Sequence, residues 1–250
     1  MSLSEKINFW FLRLFRSGYY NVRYRLNKWK KIHGVLFPVR LSYGYSVLRF
    51  IDNGQYESGE IDIISNTLAS GDKVLEMGTG LGFISAFCAK KIGSPNVYTF
   101  EANPSLERNI KQLYSKNHVD PHLEFAILGK EEGKTVFYTN RNSLLASSLT
   151  NTPGADMQPV EIPVKRLNEV IKRIKPTYLI MDIEGGEYEI FEAIDFQTIT
   201  KIQFELHPEV LGPDKVSRIF KKLGECSFVR DKSFASRDNY YFFREPGAAN

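Results

Sequence analysis

The chain has 250 residues, of which 42% are hydrophobic and 25% are charged, with a formal net charge of +4 at pH 7. This composition is typical of a folded globular protein, and it excludes a disordered chain, a collagen and a long coiled coil. The two cysteines lie inside apolar runs and indicate neither a disulfide framework nor a cysteine-based zinc site. No apolar run reaches the roughly 18 residues of a membrane-spanning helix. Because the cysteines indicate no disulfide framework, we expect a reducing, cytoplasmic setting.

Positive charge is concentrated at the N-terminus. Residues 1–40 contain nine Lys or Arg and one acid, a local charge of +8, which leaves −4 of the total +4 for residues 41–250. Apolar residues between Ile7 and Phe15 recur with helical spacing and predict an amphipathic helix. Such a segment suits an anionic membrane surface or a phosphate, or it packs against the body or a second subunit. We predict a basic, aromatic helical extension at 1–58, with peripheral membrane contact or homo-oligomer contact through residues 1–40, and one domain at 59–250.

The rest of the chain alternates short apolar runs with amphipathic stretches. Strands are predicted at 74–77, 97–100, 123–128, 178–181, 202–206 and 240–243, and helices near 59–69, 82–92, 104–117, 166–174, 186–194 and 213–223. Strands that alternate with helices build βαβ units, so we predict an α/β fold with a mostly parallel sheet. Residues 228–244 have the pattern of two strands around a turn, which predicts an antiparallel strand at the C-terminal end.

The alternation pauses between the third and fourth strands. Two further strands, at 135–139 and 159–164, flank a polar stretch rich in Ser, Thr, Asn and Pro. A long polar loop inside a compact domain is usually functional or disordered. We predict that this insertion, at about 130–165, carries a lid or substrate loop over the site.

The most informative stretch is a glycine-rich turn after the first strand of the alternation. The apolar run at 74–77 leads into the sequence GTGLG at 78–82 and then into a predicted helix. Glycines allow a tight turn and let a ligand approach the backbone amides at a helix N-terminus. In open α/β sheets, ligands bind beyond the carboxyl ends of the strands. The spacing G-x-G-x-G, with Glu76 two residues ahead, differs from the G-x-G-x-x-G of dinucleotide-binding proteins.

An acid follows the second strand. Glu101 lies 23 residues after Gly78, close to the spacing of about 20 at which a carboxylate accepts the ribose hydroxyls of a nucleoside. Asn103 and Pro104 then begin the next helix. The alternative interpretation is that Glu101 only caps that helix. The glycine turn and the acid together predict a nucleoside-binding site.

Two motifs, EMGTGLG at 76–82 and FEANP at 100–104, resemble the first two motifs of class I S-adenosylmethionine-dependent methyltransferases. Three further stretches resemble the FkbM family of these enzymes: GQYE at 54–57, FAILG at 125–129 and MDIEGGE at 181–187. The last is the most specific, and the resemblance covers roughly residues 50–206. Family members typically have Asp where Glu76 stands, and Thr79 and Leu81 also depart from the common form. The resemblance implies a Rossmann-like class I methyltransferase fold, with a mostly parallel seven-stranded sheet and an antiparallel C-terminal strand.

The resemblance also implies cofactor contacts. Glu76, Gly78 and Gly80 would line the methionine part of S-adenosyl-L-methionine, and Glu101 would hold the ribose. The remaining predicted cofactor-binding residues are Ala102, Asn103, Ala126 and Ile127. Of these, the two alanines and the isoleucine would flank the adenine, and the alternative for them is simple core packing.

The predicted catalytic residues follow the fourth and fifth strands. The resemblance implies that Asp182, at the carboxyl end of the fourth strand, faces the transferable methyl. Glu184 would project to the same side if strand geometry extends that far. His207 follows the fifth strand and should reach the same rim. One of the three would remove a hydroxyl proton, although Asp182 could instead contact the cofactor and His207 could be structural. With Glu205 they could hold a hard cation such as Mg²⁺, but no spacing dictates a metal and no ligand is assigned.

The predicted function is S-adenosylmethionine-dependent O-methylation of a hydroxyl on a sugar, a glycan or a small-molecule natural product, a substrate class implied by the family resemblance. A nucleic-acid methyltransferase would suit the basic N-terminus. However, the acids at 182, 184, 187 and 205 would repel phosphates, so no nucleic-acid partner is expected. A cofactor-binding or membrane-associated scaffold without catalysis is disfavoured by the retained acids. A dehydrogenase is disfavoured by the glycine spacing.

Overall fold

The computed structural model describes residues 29–40, 43–140, 147–148, 157–183, 185–234 and 238–245. The chain divides into two compact units, Met1–Tyr56 and Glu57–Asn250. The described part of the first unit contains an antiparallel hairpin, β1 (Trp29–Ile32) and β2 (Val35–Pro38), and the helix α1 (Gly44–Asn53). The amphipathic helix predicted near the N-terminus lies outside the described residues. Among the residues that are described, no helix is both long and apolar enough to cross a membrane.

A seven-stranded sheet forms the centre of the second unit. In spatial order its strands are β12 (Val229–Arg230), β13 (Asn239–Phe243), β11 (Lys201–Glu205), β10 (Tyr178–Met181), β3 (Val74–Met77), β4 (Val97–Glu101) and β5 (His122–Phe125). The five strands from β11 to β5 are parallel, and β13 is antiparallel to both of its neighbours. The predicted Rossmann-like fold with an antiparallel C-terminal strand is confirmed. The strand order reverses between β3 and β10, which is where open α/β sheets bind ligands.

Helices connect the strands of this sheet. They are α2 (Ser58–Thr67), α3 (Phe83–Ile92), α4 (Glu107–Asn117), α5 (Leu167–Ile174), α6 (Glu187–Ala193), α7 (Pro208–Leu211) and α8 (Pro213–Glu225). The six helices predicted from the sequence all form, with boundaries that agree within about three residues. The one difference in type is at 104–106, where a 3₁₀ turn precedes α4.

The two central strands are buried over their whole length. All four residues of β3 and all four of β10 are buried, as expected for parallel strands covered on both faces. Leu75, Leu179 and Phe204 are fully inaccessible to solvent. Each large apolar side chain that is fully buried contributes about 1.5–3 kcal/mol to folding, so this rigid centre can fix the positions of the strand ends.

The predicted insertion contains a second, four-stranded sheet. Its order is β6 (Ile127–Gly129), β9 (Met157–Arg166), β7 (Gly133–Asn140) and β8 (Ser147–Ser148). The single strand predicted at 123–128 is wrong, because the chain leaves the large sheet at Ala126 and continues in the small one. Most of the polar stretch, residues 141–146 and 149–156, lies outside the described residues, so the lid stays a prediction.

The C-terminal strand is fastened by a buried arginine. The Nε and Nη2 atoms of Arg244 donate to the carbonyl oxygens of Ile199 and Gln197, each at 3.0 Å. Its guanidinium carbon lies 4.8 Å from the centre of the Phe228 ring. These contacts join the end of β13 to the turn that precedes β11.

We predict that Arg244→Met lowers the free energy of unfolding by about 3 kcal/mol. Hydrogen bonds from a charged donor contribute about 1.5–3 kcal/mol, and the substitution leaves the carbonyl groups of Ile199, Gln197 and Cys226 without this donor. Urea denaturation measures the change. The matched control is Arg218→Met, because Arg218 is exposed and donates to the surface hydroxyl of Tyr188; it should change stability by less than about 0.5 kcal/mol. Equal losses in the two variants would contradict the assignment.

Candidate active site

The glycine turn lies at the point where the strand order reverses. Gly78, Gly80 and Gly82 have φ angles of 90°, 54° and 82°, a region that favours glycine. A Cβ atom on Gly78 would lie 1.8 Å from the carbonyl oxygen of Asp182, so no side chain fits there. At Gly80, no described atom lies within 4 Å of the same position. The turn is therefore closed toward β10 at Gly78 and open to a ligand at Gly80.

Glu101 connects the end of β4 to this turn. Its Oε2 accepts a hydrogen bond from the Gly80 amide and its Oε1 accepts one from the Asn103 amide, both at 2.7 Å. Asn103 itself caps the following turn, since its Oδ1 accepts from the Ser105 amide at 3.1 Å. The alternative that Glu101 is the helix cap is therefore wrong: Asn103 has that role, and Glu101 lies against the glycine turn.

Burial controls the ionisation of Glu101. Desolvation raises its pKa to about 7, with a smaller contribution from the charge of Asp182, while hydrogen bonds from the backbone amides of Asn103, Gly80 and Ala102 act in the opposite direction. The carboxyl group of Glu101 therefore changes its ionisation in the neutral pH range rather than in the acidic range of a free glutamate. A cationic ligand, or hydroxyl groups that donate to it, would favour the ionised form.

Glu76 lies in the interior of the domain. It is 2% exposed, and its carboxylate accepts hydrogen bonds from the hydroxyls of Thr99 and Ser85. Desolvation is the main reason that its pKa rises to about 8, and the charge of Glu101 adds to the effect. Glu76 thus supports the glycine turn through its hydrogen bonds with Thr99 on β4 and Ser85 on α3. Its contact with the methionine part of a cofactor stays a prediction.

The residues predicted beside the adenine follow β4 and β5. Ala102 and Ile127 are half-buried, so they retain surface that a ligand can contact. Ala126 is 2% exposed and belongs to the hydrophobic core. Core packing therefore accounts for Ala126, whereas Ala102 and Ile127 remain candidates for contact with a base.

Three side chains converge at the ends of β10 and β11. Asp182, Glu205 and His207 each place one carboxylate oxygen or ring nitrogen within 4.8 Å of those of the other two. Asp182 and His207, predicted as catalytic residues, are thus brought together, and Glu205 joins them. Glu184 lies outside the described residues. Because β10 ends at Met181, the strand geometry that was to align it with Asp182 does not extend that far.

Glu187 has a role that the sequence did not reveal. It begins α6, as predicted, but its side chain is fully buried. It therefore does not belong to the surface acids that were expected to repel phosphates. Its Oε1 lies 2.8 Å from Nδ1 of His207 and accepts a hydrogen bond from the Gly185 amide at 3.0 Å. A carboxylate at Nδ1 favours a proton on that nitrogen and fixes the orientation of the ring. Only the folded chain brings this pair together, because the residues lie on different elements 20 positions apart.

Several carboxyl groups interact at this edge of the sheet. Desolvation is the main reason that the pKa values of Glu76 and Glu101 are raised, and the charge of a neighbouring carboxyl group, Glu101 for Glu76 and Asp182 for Glu101, adds a smaller contribution. A positively charged ligand is favoured next to these buried carboxyl groups, because it stabilises their ionised forms. The pyrophosphate of a dinucleotide would add further negative charge.

Several solved methyltransferase structures resemble this fold at low sequence identity. Methyltransferase FkbM from Methylobacillus flagellatus KT is 16% identical, with a TM-score of 0.46 over 80% of this chain and 53% of that chain. Precorrin-6y C5,15-methyltransferase from Geobacter metallireducens GS-15 is 15% identical, with a TM-score of 0.45 over 76% and 89%. Pyrococcus abyssi tRNA (uracil-54, C5)-methyltransferase, in complex with S-adenosyl-L-homocysteine, is 13% identical, with a TM-score of 0.48 over 86% and 42%.

All three TM-scores are below 0.5, so the family assignment depends on the sequence. No curated protein matches the chain significantly. Residues 76–230, more than half of the chain, match the family model of the methyltransferase FkbM domain. This range begins at Glu76 and includes the glycine turn, Glu101 and the cluster at the ends of β10 and β11. The chain therefore belongs to the FkbM methyltransferase family, and it is an S-adenosylmethionine-dependent methyltransferase.

Proposed function

We propose that this enzyme methylates a hydroxyl group on a sugar, a glycan or a small-molecule natural product. The observation that carries the proposal is the convergence of Asp182, Glu205 and His207 beside the glycine turn. A hydroxyl group must lose its proton when it is methylated, and carboxylate and imidazole groups are suited to accept it. The substrate class comes from the resemblance to the FkbM family, many of whose members act in polysaccharide or natural-product pathways.

The proposed cofactor position follows from the glycine turn and Glu101. When bound, S-adenosylmethionine supplies the methyl group as a sulfonium electrophile. We assign its ribose to Glu101, its methionine part to the backbone at Gly78 and Gly80, and its adenine to the partly exposed side chains of Ala102 and Ile127. The open space at Gly80 and the negative potential of the carboxyl groups both fit this cationic ligand.

The acceptor hydroxyl lies, in this proposal, against the cluster of Asp182, Glu205 and His207. The cluster holds the acceptor in line with the methyl group, which is the main requirement of a displacement reaction. As the new bond from oxygen to carbon forms and the bond from carbon to sulfur breaks, the hydroxyl proton passes to a carboxylate or imidazole of the cluster. Glu187 keeps His207 in a fixed orientation while this happens.

Charge and apolar surface at the rim support a neutral acceptor. Without a bound cation, Asp182 and Glu205 would repel the phosphates of a nucleic acid. Val210, whose amide donates to the His207 carbonyl, has a side chain that is 56% exposed and lies close to Gly185. It offers an apolar surface to the ring of a sugar or natural product. A cytoplasmic location, and contact of residues 1–40 with a membrane or a second copy, stay predictions.

The affinity for S-adenosylmethionine should rise with pH. Because the pKa of Glu101 is about 7 in the ligand-free protein, its carboxyl group is mostly neutral at pH 6.0 and mostly ionised at pH 7.5. Only the ionised form accepts both ribose hydroxyls and attracts the cation. Calorimetric titration should show binding that is roughly five- to tenfold tighter at pH 7.5.

The same titration separates Glu101 from other acids. Glu101→Gln should weaken binding roughly 10- to 100-fold at pH 7.5, the effect of losing charge-assisted hydrogen bonds, and should flatten the pH dependence. Glu107→Gln is the matched control, because Glu107 is an exposed acid that pairs with Lys111 on α4. If Glu101→Gln behaves like this control, the ribose is held elsewhere.

Methyl transfer to hydroxyl acceptors tests the proposed function itself. A panel of monosaccharides, oligosaccharides and phenolic or polyketide alcohols is offered with S-adenosylmethionine, and methylated products are detected by mass spectrometry. Asp182→Asn and His207→Asn should lower kcat by roughly 10²- to 10⁴-fold on the acceptor that is found, because general-base catalysis contributes this much.

The control for this experiment is Asp214→Asn, which removes an exposed acid from the first turn of α8. It should retain the wild-type kcat. Methylation confined to amines or to RNA, with hydroxyl acceptors inert, would contradict the proposed function.

A further inference from the structure

We propose that Asp182, Glu205 and His207 are the protein ligands of a divalent cation, such as Mn²⁺ or Mg²⁺, that binds the oxygen of the methyl acceptor. The role toward the acceptor rests on the proposed function. The cation site itself does not, because it is defined by three side chains whether or not an acceptor is bound.

The parallel register of β10 and β11 builds the site. Met181 on β10 is paired with Phe204 on β11. Asp182, the first residue after β10, therefore follows beside Glu205, the last residue of β11. His207 follows two positions later, and the ligand atoms of the three lie within 4.8 Å of one another. Ligands at about 2.1 Å from an octahedral cation lie about 3–4 Å apart. Small side-chain rotations therefore suffice to bring all three onto one ion.

The environment of His207 is a second and independent indication. Its Nδ1 lies 2.8 Å from the carboxylate of Glu187, which is fully buried and held by the Gly185 amide. Histidines that bind metals almost always donate their other ring nitrogen to a carboxylate, a carbonyl or water, which fixes the tautomer and raises the basicity of the ligating nitrogen. Within the described part of the chain, the second oxygen of Glu187 has no hydrogen-bond partner. Glu187 thus acts as a positioning residue for the imidazole.

The charges and the donor types fit a hard or intermediate cation. Three carboxylates, those of Asp182, Glu187 and Glu205, lie around one imidazole. A divalent ion offsets more of their negative charge than a protonated imidazole alone would. Carboxylate oxygens suit Mg²⁺ and Mn²⁺, and imidazole nitrogen is a ligand for many divalent transition metals. Sulfur, which would favour a softer metal, is not among the three ligands.

The three proposed ligands are exposed enough for an acceptor molecule to reach the cation. Asp182, Glu205 and His207 are all half-buried, so three protein ligands leave open positions on an octahedral ion for water and substrate oxygen. A cation lowers the pKa of an oxygen acid bound to it. His207 is then a ligand, and the second oxygen of a ligating carboxylate accepts the hydroxyl proton.

Titration of the full chain with Mn²⁺ tests the site without cofactor or acceptor. Electron paramagnetic resonance of free Mn²⁺ should show saturable binding of one ion per chain. Asp182→Asn and Glu205→Gln should each weaken binding at least roughly tenfold, and Glu187→Gln should weaken it roughly 10- to 100-fold through His207. Glu209→Gln is the matched control, since Glu209 is an exposed acid on α7 two residues from His207, and it should bind like the wild type.

Thermal unfolding of each variant verifies that it is folded. Absence of Mn²⁺ binding to the wild-type chain, or equal binding in the wild type, Asp182→Asn and Glu205→Gln, would overturn the proposal. Binding that follows the expected pattern supports the site even if no hydroxyl acceptor is methylated, so its outcome is distinct from that of the proposed function. Methylation of a hydroxyl at full rate after chelation would overturn the role of the cation toward the acceptor.

Discussion

The close approach of β3, β4 and β10 at their carboxyl ends is the constraint on which the active site depends. Backbone hydrogen bonds continue past the strand ends, from the Gly78 amide to Phe100 at 2.9 Å and from the Asp182 amide to Met77 at 3.0 Å. Gly78 can lie this close to the carbonyl of Asp182 only because it has no side chain. The result is that the acid proposed to hold the ribose and the acid proposed to face the acceptor lie on either side of one glycine turn.

This arrangement places carboxyl groups where they reduce the stability of the ligand-free protein. Burial raises the pKa values of Glu76 and Glu101 to about 8 and about 7, so the folded state holds these protons more tightly than the unfolded chain. Their contribution to stability is present below the unfolded pKa of about 4.5 and is lost as the pH rises toward 8. A cationic cofactor, and in our proposal a divalent cation at the neighbouring cluster, would restore part of that loss.

The sequence predicted the parts of the fold that depend on local pattern. The strands at 74–77 and 178–181 were predicted with their observed boundaries, because a strand buried on both faces is a continuous apolar run. The run at 123–128 misled the prediction because apolar pattern alone cannot show that the chain passes from one sheet to another at Ala126. Spacing identified Glu101 and the glycine turn. The pairing of Glu187 with His207 had no local signal, because it arises only when α6 and the end of β11 come together.

The most direct test of the account is a crystal structure of the protein with S-adenosylhomocysteine. We expect the ribose hydroxyls within about 3 Å of the Glu101 carboxylate, the amino-acid part along Gly78 and Gly80, and the sulfur facing Asp182 and His207. A nucleoside bound away from the glycine turn, with Glu101 still hydrogen-bonded only to Gly80 and Asn103, would contradict it.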